Sequence, residues 1–165
     1  MDIERGYTQD LETLKAYIQK IIDLGVVGIN IEDTEGEEVY LNKLFCIKNY
    51  LDKTRQKLFI NARTDAFLLN LPSPLETTIK RARMYEDAGA DGLFVTGIQS
   101  TDVVKEIVTA TSLPVNVIGI SKFTSISSLT VCGVKRISMA GLLYKATYTE
   151  MEEIAKGVFV EEHLL

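Results

Sequence analysis

Short, nearly continuous apolar runs recur along this chain, and each ends in polar or charged residues before a longer stretch of helical periodicity. That alternation constrains the fold more than any other feature. The clearest run, Leu58-Phe59-Ile60-Asn61-Ala62, delivers Arg63-Thr64-Asp65 to the point where the chain turns. Upstream, Val26-Val27-Gly28-Ile29-Asn30-Ile31 ends in Glu32-Asp33; downstream, Gly92-Leu93-Phe94-Val95 ends in Thr96-Gly97. Continuous apolar runs suit parallel strands covered on both faces better than strict alternation does. Strand-helix units in series predict a doubly wound sheet or a (β/α)8 barrel. In either case the polar strand ends gather on one face, where Arg63 is placed to hold an anion.

The periodicity predicts helices over 7–24, 39–57, 101–110, 124–131 and 142–157, with a further helix between the Pro72-Ser73-Pro74 loop and Ala88. In the first of these, Leu11, Leu14, Ile18, Ile21 and Ile22 share a stripe and Gly25 ends the helix. Strands are expected over 26–32, 58–62, 92–96, 114–118 and 135–138, with a stub at 1–4. An acidic loop spans 33–38. No linker or low-complexity tract interrupts the pattern, so residues 1–165 are read as one domain. A closed barrel needs eight strands, usually in about 250 residues. About six of eight are found here, which leaves an unpaired edge.

Composition excludes several classes of function. The 165 residues carry a formal charge of -5, which argues against a nucleic-acid backbone as partner. No apolar run approaches the roughly 20 residues of a membrane span. The first six residues lack the features of a signal peptide. Cys46 and Cys132 do not make a disulfide framework and are expected to be buried small hydrophobes in a reducing, cytoplasmic setting. Gly89-Ala90-Asp91-Gly92 and Gly133 are read as helix-ending turns. They are not a dinucleotide fingerprint, because no G-x-G-x-x-G follows a strand.

Six blocks, in order, resemble the isocitrate lyase/phosphoenolpyruvate mutase superfamily. They are Asp2-Ile3-Glu4-Arg5-Gly6-Tyr7, Gly28-Ile29-Asn30-Ile31-Glu32-Asp33, Asn61-Ala62-Arg63-Thr64-Asp65-Ala66, the segment 85–95, Pro114-Val115-Asn116-Val117 and Gly133-Val134-Lys135-Arg136-Ile137-Ser138. The resemblance implies a (β/α)8 barrel with its site at the carboxyl ends of the strands. It also implies bound Mg2+, and C-C or P-C bond chemistry on a 2-oxo or enolpyruvate-like acid. It aligns the start of the chain near the end of the family's third strand, so that the first two βα units, and the metal-linked aspartate they carry, have no counterpart here. On that alignment the family's usual extra carboxyl-terminal helices, which often exchange between subunits, have no counterpart here; a homo-oligomer is expected, with the open edge paired to another copy.

By the same resemblance Asp2, Glu4 and Glu32 match the acidic metal positions. Asp2 and Glu4 are two residues apart and would share a face of an extended strand. Three converging carboxylates could hold Mg2+ directly or through water. Arg63 matches the arginine that binds the substrate carboxylate, a role suited to its planar fork; an ion pair with Asp65 or Asp91 is the alternative. Asp65 is read as an orienter of the strand tops. Asn116 matches a polar residue lining the pocket, with a loop-capping amide as the alternative. Arg136 is read as structural.

Two departures weaken a lyase assignment. Thr96 and Gly97 stand where lyase members often carry an acidic residue. The stretch Asp33-Thr34-Glu35-Gly36-Glu37-Glu38 has none of the cysteine, histidine or lysine of the lyase loop. Cys46 is not given that catalytic role, and Asn42 and Lys43 do not match the mutase loop in spacing. An acidic loop would repel a dianion unless a metal offsets it. His163, the only histidine, is read as solvated. Three functions therefore compete: a Mg2+-dependent enzyme, a catalytically inactive truncated family member, and a non-catalytic dicarboxylate binder using Arg63.

Overall fold

The structure is a computed structural model that describes residues 1–119 and 125–160. Helices and strands alternate along it: α1 Leu11–Asp23, β1 Gly28–Glu32, α2 Glu37–Thr54, β2 Phe59–Thr64, α3 Pro74–Asp87, β3 Gly92–Val95, α4 Thr101–Ala110, β4 Val115–Ile118, α5 Ile126–Val131, β5 Arg136–Ser138 and α6 Leu142–Val160. The strands form one sheet in the order β1-β2-β3-β4-β5, every pair parallel. That order never reverses. A doubly wound sheet has a point where it does, so the winding is of the barrel type. The amino-terminal stub adds a further parallel segment beside β1. Asp2 bridges Asn30, the Asn30 N–H donates to the Met1 carbonyl at 2.8 Å, and the Ile3 N–H donates to the Asn30 carbonyl at 3.0 Å.

Local chemistry sets the ends of the elements. α1 begins at Leu11 rather than at residue 7, because Tyr7 has a φ of 59° and the Asp10 carboxylate caps the Thr13 N–H at 2.8 Å. α2 stops at Thr54, three residues before expectation, because Arg55 turns left-handed at φ 54°. β2 continues past residue 62 because Arg63 and Thr64 pair with Phe94 and Val95. In the predicted helix 124–131, Thr124 lies outside the described residues; Ser125 caps α5 by accepting from the Ser128 N–H. His163 lies outside them as well.

The two faces of the sheet differ in chemistry. Ile29, Ile31, Ile60, Ala62, Leu93, Val95, Val115 and Val117 are buried with Leu14, Ile18, Leu44, Ile47, Ala82, Val104 and Ile107 of the helices. The alternate residues project to the other face, and these are Asn30, Glu32, Asn61, Arg63, Phe94, Asn116 and Arg136. One face therefore builds the core and the other presents the chemistry. The expectation of buried cysteines is corrected: Cys46 and Cys132 are only partly covered. The sulfur of Cys46, in α2, reaches the Leu11 carbonyl at 3.6 Å, and that of Cys132, which caps the end of α5, reaches the Thr101 carbonyl at 3.5 Å. No helix among the described residues is long and apolar enough to cross a membrane.

Candidate active site

Register sets out the site. Glu32 pairs with Arg63, Arg63 with Phe94, Phe94 with Asn116 and Asn116 with Arg136. These five side chains form one cross-strand row near the carboxyl ends of the sheet. Glu32 and Arg63 meet, with Nη1 2.9 Å from Oε2. The fork of Arg63 is turned on Asp65: Nε reaches Oδ1 at 2.8 Å and Nη2 reaches Oδ2 at 2.9 Å. Asp91, the other expected partner, instead accepts the Ile60 N–H at 2.9 Å. A guanidinium has five N–H donors. Two therefore remain for a ligand, one on each terminal nitrogen.

Burial works against charge on Arg63. The bonds to Asp65 and the fields of Asp65, Glu32 and Asp2 outweigh it and raise the guanidinium pKa. Phe94 lies beneath, its ring centroid 6.0 Å from Cζ, at the outer limit of cation–π attraction. The Thr96 hydroxyl donates to Oδ1 of Asp65. Arg63 thus makes the ion pair with Asp65 that was the alternative to a carboxylate-binding role, and the Thr96 hydroxyl holds Asp65 in turn.

Asn116 is 2 % exposed, yet neither its amide nitrogen nor its oxygen has a partner among the described residues. A buried group left unsatisfied costs about 1–3 kcal/mol, and such groups call for a specific explanation. A ligand in the row supplies one. Arg136 is exposed and lines a cavity of about 290 Å³ with Met1, Asn30, Phe59 and Asn61. A larger depression of about 750 Å³, lined by Lys48, Arg55 and Lys57, opens at the amino ends of the strands, away from the row.

The acidic residues are arranged differently from the expected cluster of three. The extended backbone ends at Ile3. Glu4 has a φ of 46°, and its N–H donates to Oδ1 of Asp2 at 2.9 Å. Asp2 meets the Asn30 amide only at 3.4 Å. Among the described residues, no three of His, Cys, Asp and Glu form a group able to hold a metal ion. What remains is two carboxylates, Asp2 and Glu32, whose fields both fall on Arg63. Mg2+ usually takes one or two protein carboxylates and keeps several waters, so in number these two would suffice, although Glu32 is also paired with Arg63 and Asp2 accepts from the Glu4 N–H.

The acidic loop is largely neutralised. Asp33 pairs with Arg81 at 2.7 Å, Glu37 with Lys80 at 2.9 Å, and Glu35 with Lys43. The Lys43 bond, and then a bond from Gln9, hold the Glu35 carboxyl below its ordinary range. Lys43 is 2 % exposed and also donates to the Arg5 carbonyl at 2.6 Å, so it ties two loops together. The loop therefore repels an anion less than its sequence suggests. At the row itself Arg63 still faces three carboxylates, those of Asp65, Glu32 and Asp2.

Sequence reasoning missed the Asp33 network. Asp33 is 3 % exposed and accepts from the Asp65 N–H, Arg81 and the Tyr85 hydroxyl. The available signal was the spacing of Thr78, Arg81 and Tyr85, which places three polar-tipped side chains on one face of α3. All three are buried.

Comparison with known proteins bears on the family and the fold. A sequence model of the phosphoenolpyruvate phosphomutase family matches residues 1–159. The uncharacterized protein MT2054 of Mycobacterium tuberculosis is 33% identical over 165 residues, covering 99% of this chain and 62% of that protein. An oxaloacetate decarboxylase of Bradyrhizobium sp. is 31% identical over 125 residues, covering 70% of this chain and 42% of the relative. The chain thus spans less than two thirds of the length of these relatives. Among solved structures, a protein assigned as a phosphonomutase from Burkholderia cenocepacia superposes with a TM-score of 0.83 at 32% identity, covering 94% of this chain and 67% of that one. Oxaloacetate acetylhydrolase with bound oxalate shares the fold, with a TM-score of 0.83 at 21% identity over 99% of this chain and 60% of the other.

Proposed function

Because the chain belongs to the phosphoenolpyruvate phosphomutase family, we propose that the row at the strand ends binds a small 2-oxo or enolpyruvate-like acid, with oxaloacetate the first candidate, for Mg2+-dependent cleavage of a C-C bond. The two free donors of Arg63 take the substrate carboxylate. The orphan amide of Asn116 donates to the oxygen that gains charge as the bond breaks, a form of electrostatic stabilisation. Phe94 lies between them in the row and keeps water from the reacting carbons. Asp2 and Glu32 hold Mg2+, with Glu4 adding negative field from the turn. When bound there, Mg2+ acts as a Lewis acid toward enolate charge and offsets the repulsion between the row's carboxylates and an anionic substrate.

The observation that carries this reading is the buried Asn116, without a partner among the described residues, in the same row as Arg63. The decarboxylase relatives favour C-C over P-C chemistry. The test is to incubate the protein with Mg2+ and oxaloacetate and measure pyruvate and acetate. Pyruvate formation that depends on Mg2+ and is lost in Asn116→Leu supports decarboxylation. Acetate with oxalate points instead to hydrolysis.

A second reading, a non-catalytic dicarboxylate binder, is favoured by one observation: three of the four carboxylates of the loop, Asp33, Glu35 and Glu37, are each tied to a cation. Oxaloacetate binding without turnover selects it. The two free thiols support a reducing, cytoplasmic setting. The exposed Tyr144, Tyr148, Met151 and Ile154 of α6 support a homo-oligomer, to be measured by light scattering.

A further inference from the structure

We propose that Asp33, clamped by Arg81 and Tyr85, is a positioning residue that sets the Arg63–Asp65 fork; this rests on reading Arg63 as the carboxylate anchor. The two oxygens of Asp33 divide the work. Oδ1 accepts the backbone N–H of Asp65 at 3.2 Å. Oδ2 accepts from Nη1 of Arg81 at 2.7 Å and from the Tyr85 hydroxyl at 2.6 Å. The same Nη1 also donates to the Thr64 hydroxyl at 3.1 Å. Both residues that follow Arg63 are therefore tied, through Asp33 and Arg81, to α3.

The neighbouring strand is held in a similar way. The Tyr85 ring meets Tyr40 edge-on, with centroids 4.7 Å apart, and the Tyr40 hydroxyl donates to the Ile31 carbonyl at 2.9 Å. Ile31 and Asp33 flank Glu32, and Thr64 and Asp65 follow Arg63. The two charged tips that face the row are thus fixed from behind by one buried network that never enters the row.

Stability alone does not explain such a network. A buried ion pair replaced by hydrophobic residues of similar volume is often neutral or stabilising. Holding a guanidinium within a fraction of an ångström is a different requirement, and binding and chemistry are sensitive to it. The hydroxyl of Tyr85 offers the cleanest perturbation, because Tyr85→Phe removes one donor to Asp33 and keeps the ring against Tyr40.

The test uses the full chain, wild type and Tyr85→Phe, with Asp33→Asn as a second variant. Nitrogen-15 NMR follows hydrogen exchange at Arg63 Nε–H and at the Asp65 amide, with the Ile107 amide of α4 as a distant reference. Oxalate with Mg2+ is the binding probe. Tyr85→Phe is expected to speed exchange at Arg63 and Asp65 and to weaken oxalate binding, each about tenfold, in the range seen when outer-shell partners of a site are removed, while Ile107 is unchanged. Unchanged exchange at Arg63 in the folded variant overturns the proposal. So does acceleration at Ile107 by the same factor, which marks a merely structural role. If Asp33→Asn does not fold, Tyr85→Phe decides. Wild-type protein that ignores oxalate refutes the anchoring role of Arg63, and the exchange data still decide whether Asp33 sets the fork.

Discussion

Replacing Asp33 by alanine should be among the most damaging single changes in this chain. Asp33 is 3 % exposed and Arg81 9 % exposed. The substitution leaves the Arg81 charge without its carboxylate, 2.7 Å away in the native fold. Nε of Arg81 already lacks a partner among the described residues, so the Thr64 hydroxyl on Nη1 is the main contact left to the guanidinium. The Tyr85 hydroxyl and the Asp65 N–H lose their acceptor at the same moment. Breaking a buried pair by removing one partner costs about 3–5 kcal/mol, a large part of the about 5–15 kcal/mol that a domain has. At about 3 °C per kcal/mol for a chain of this size, the melting temperature should fall by roughly 10–15 °C. Urea unfolding followed by circular dichroism measures the loss directly, and the slope should stay constant if the variant unfolds in the same way. The double variant Asp33→Leu with Arg81→Met removes both charges, and it should recover most of the loss. A loss below about 1 kcal/mol, or a double variant as unstable as the sum of the singles, would refute the claim that this pair is buried and mutually dependent.

Other expectations are simpler to check. Asn116→Leu removes a buried amide that has no partner among the described residues, so the ligand-free protein should be unchanged or more stable by about 1 kcal/mol in urea unfolding, while oxalate binding weakens. Gly97→Ala should destabilise, since φ is 80° and the new Cβ would lie 2.6 Å from the Leu68 nitrogen; thermal melting reads this. The Glu35 carboxyl is held below its ordinary value of 4.5, chiefly by Lys43. Its contribution to stability is complete above the unfolded value and disappears as pH falls through the lower folded one. Lys43→Met should flatten that part of the acid-stability curve. Burial raises the Cys46 thiol pKa, so Cys46 should react with a disulfide reagent at pH 8 more slowly than a free cysteine does.

The alternation of elements was legible because each strand is a short apolar run and each helix carries its own stripe. α4 was predicted to the residue, and β1, β3 and β4 within two. The ends that moved did so for reasons not written locally. Arg55 ends α2 in a left-handed conformation that non-glycine residues seldom advertise. β2 outran its apolar run because pairing with β3 carried Arg63 and Thr64 into the ladder. That Arg63 and Glu32 gather at neighbouring strand ends followed from strand-end logic; their ion pair did not, since Asp65 and Asp91 were the partners expected. The expectation that Asp2 and Glu4 share a face did not hold, because the backbone turns at Glu4, one residue too early. Asp33 was read as part of an acidic loop and Lys43 only as a poor match to the mutase loop, and nothing in the sequence marked either as buried. Their burial depends on Arg81, Tyr85 and Glu35, partners contributed by other elements or by the loop between them. Tertiary pairing of this kind leaves only a faint trace in a single sequence.

The central claim is that Arg63 anchors a small carboxylate beside a hydrated Mg2+. Calorimetric titration of oxalate into wild type and Arg63→Lys, with and without Mg2+, tests it most directly. The account predicts one oxalate per chain, dependent on Mg2+, and weakened about 100-fold in Arg63→Lys, about 2.7 kcal/mol. Oxalate binding of equal strength in the two proteins, or binding indifferent to Mg2+, would contradict it.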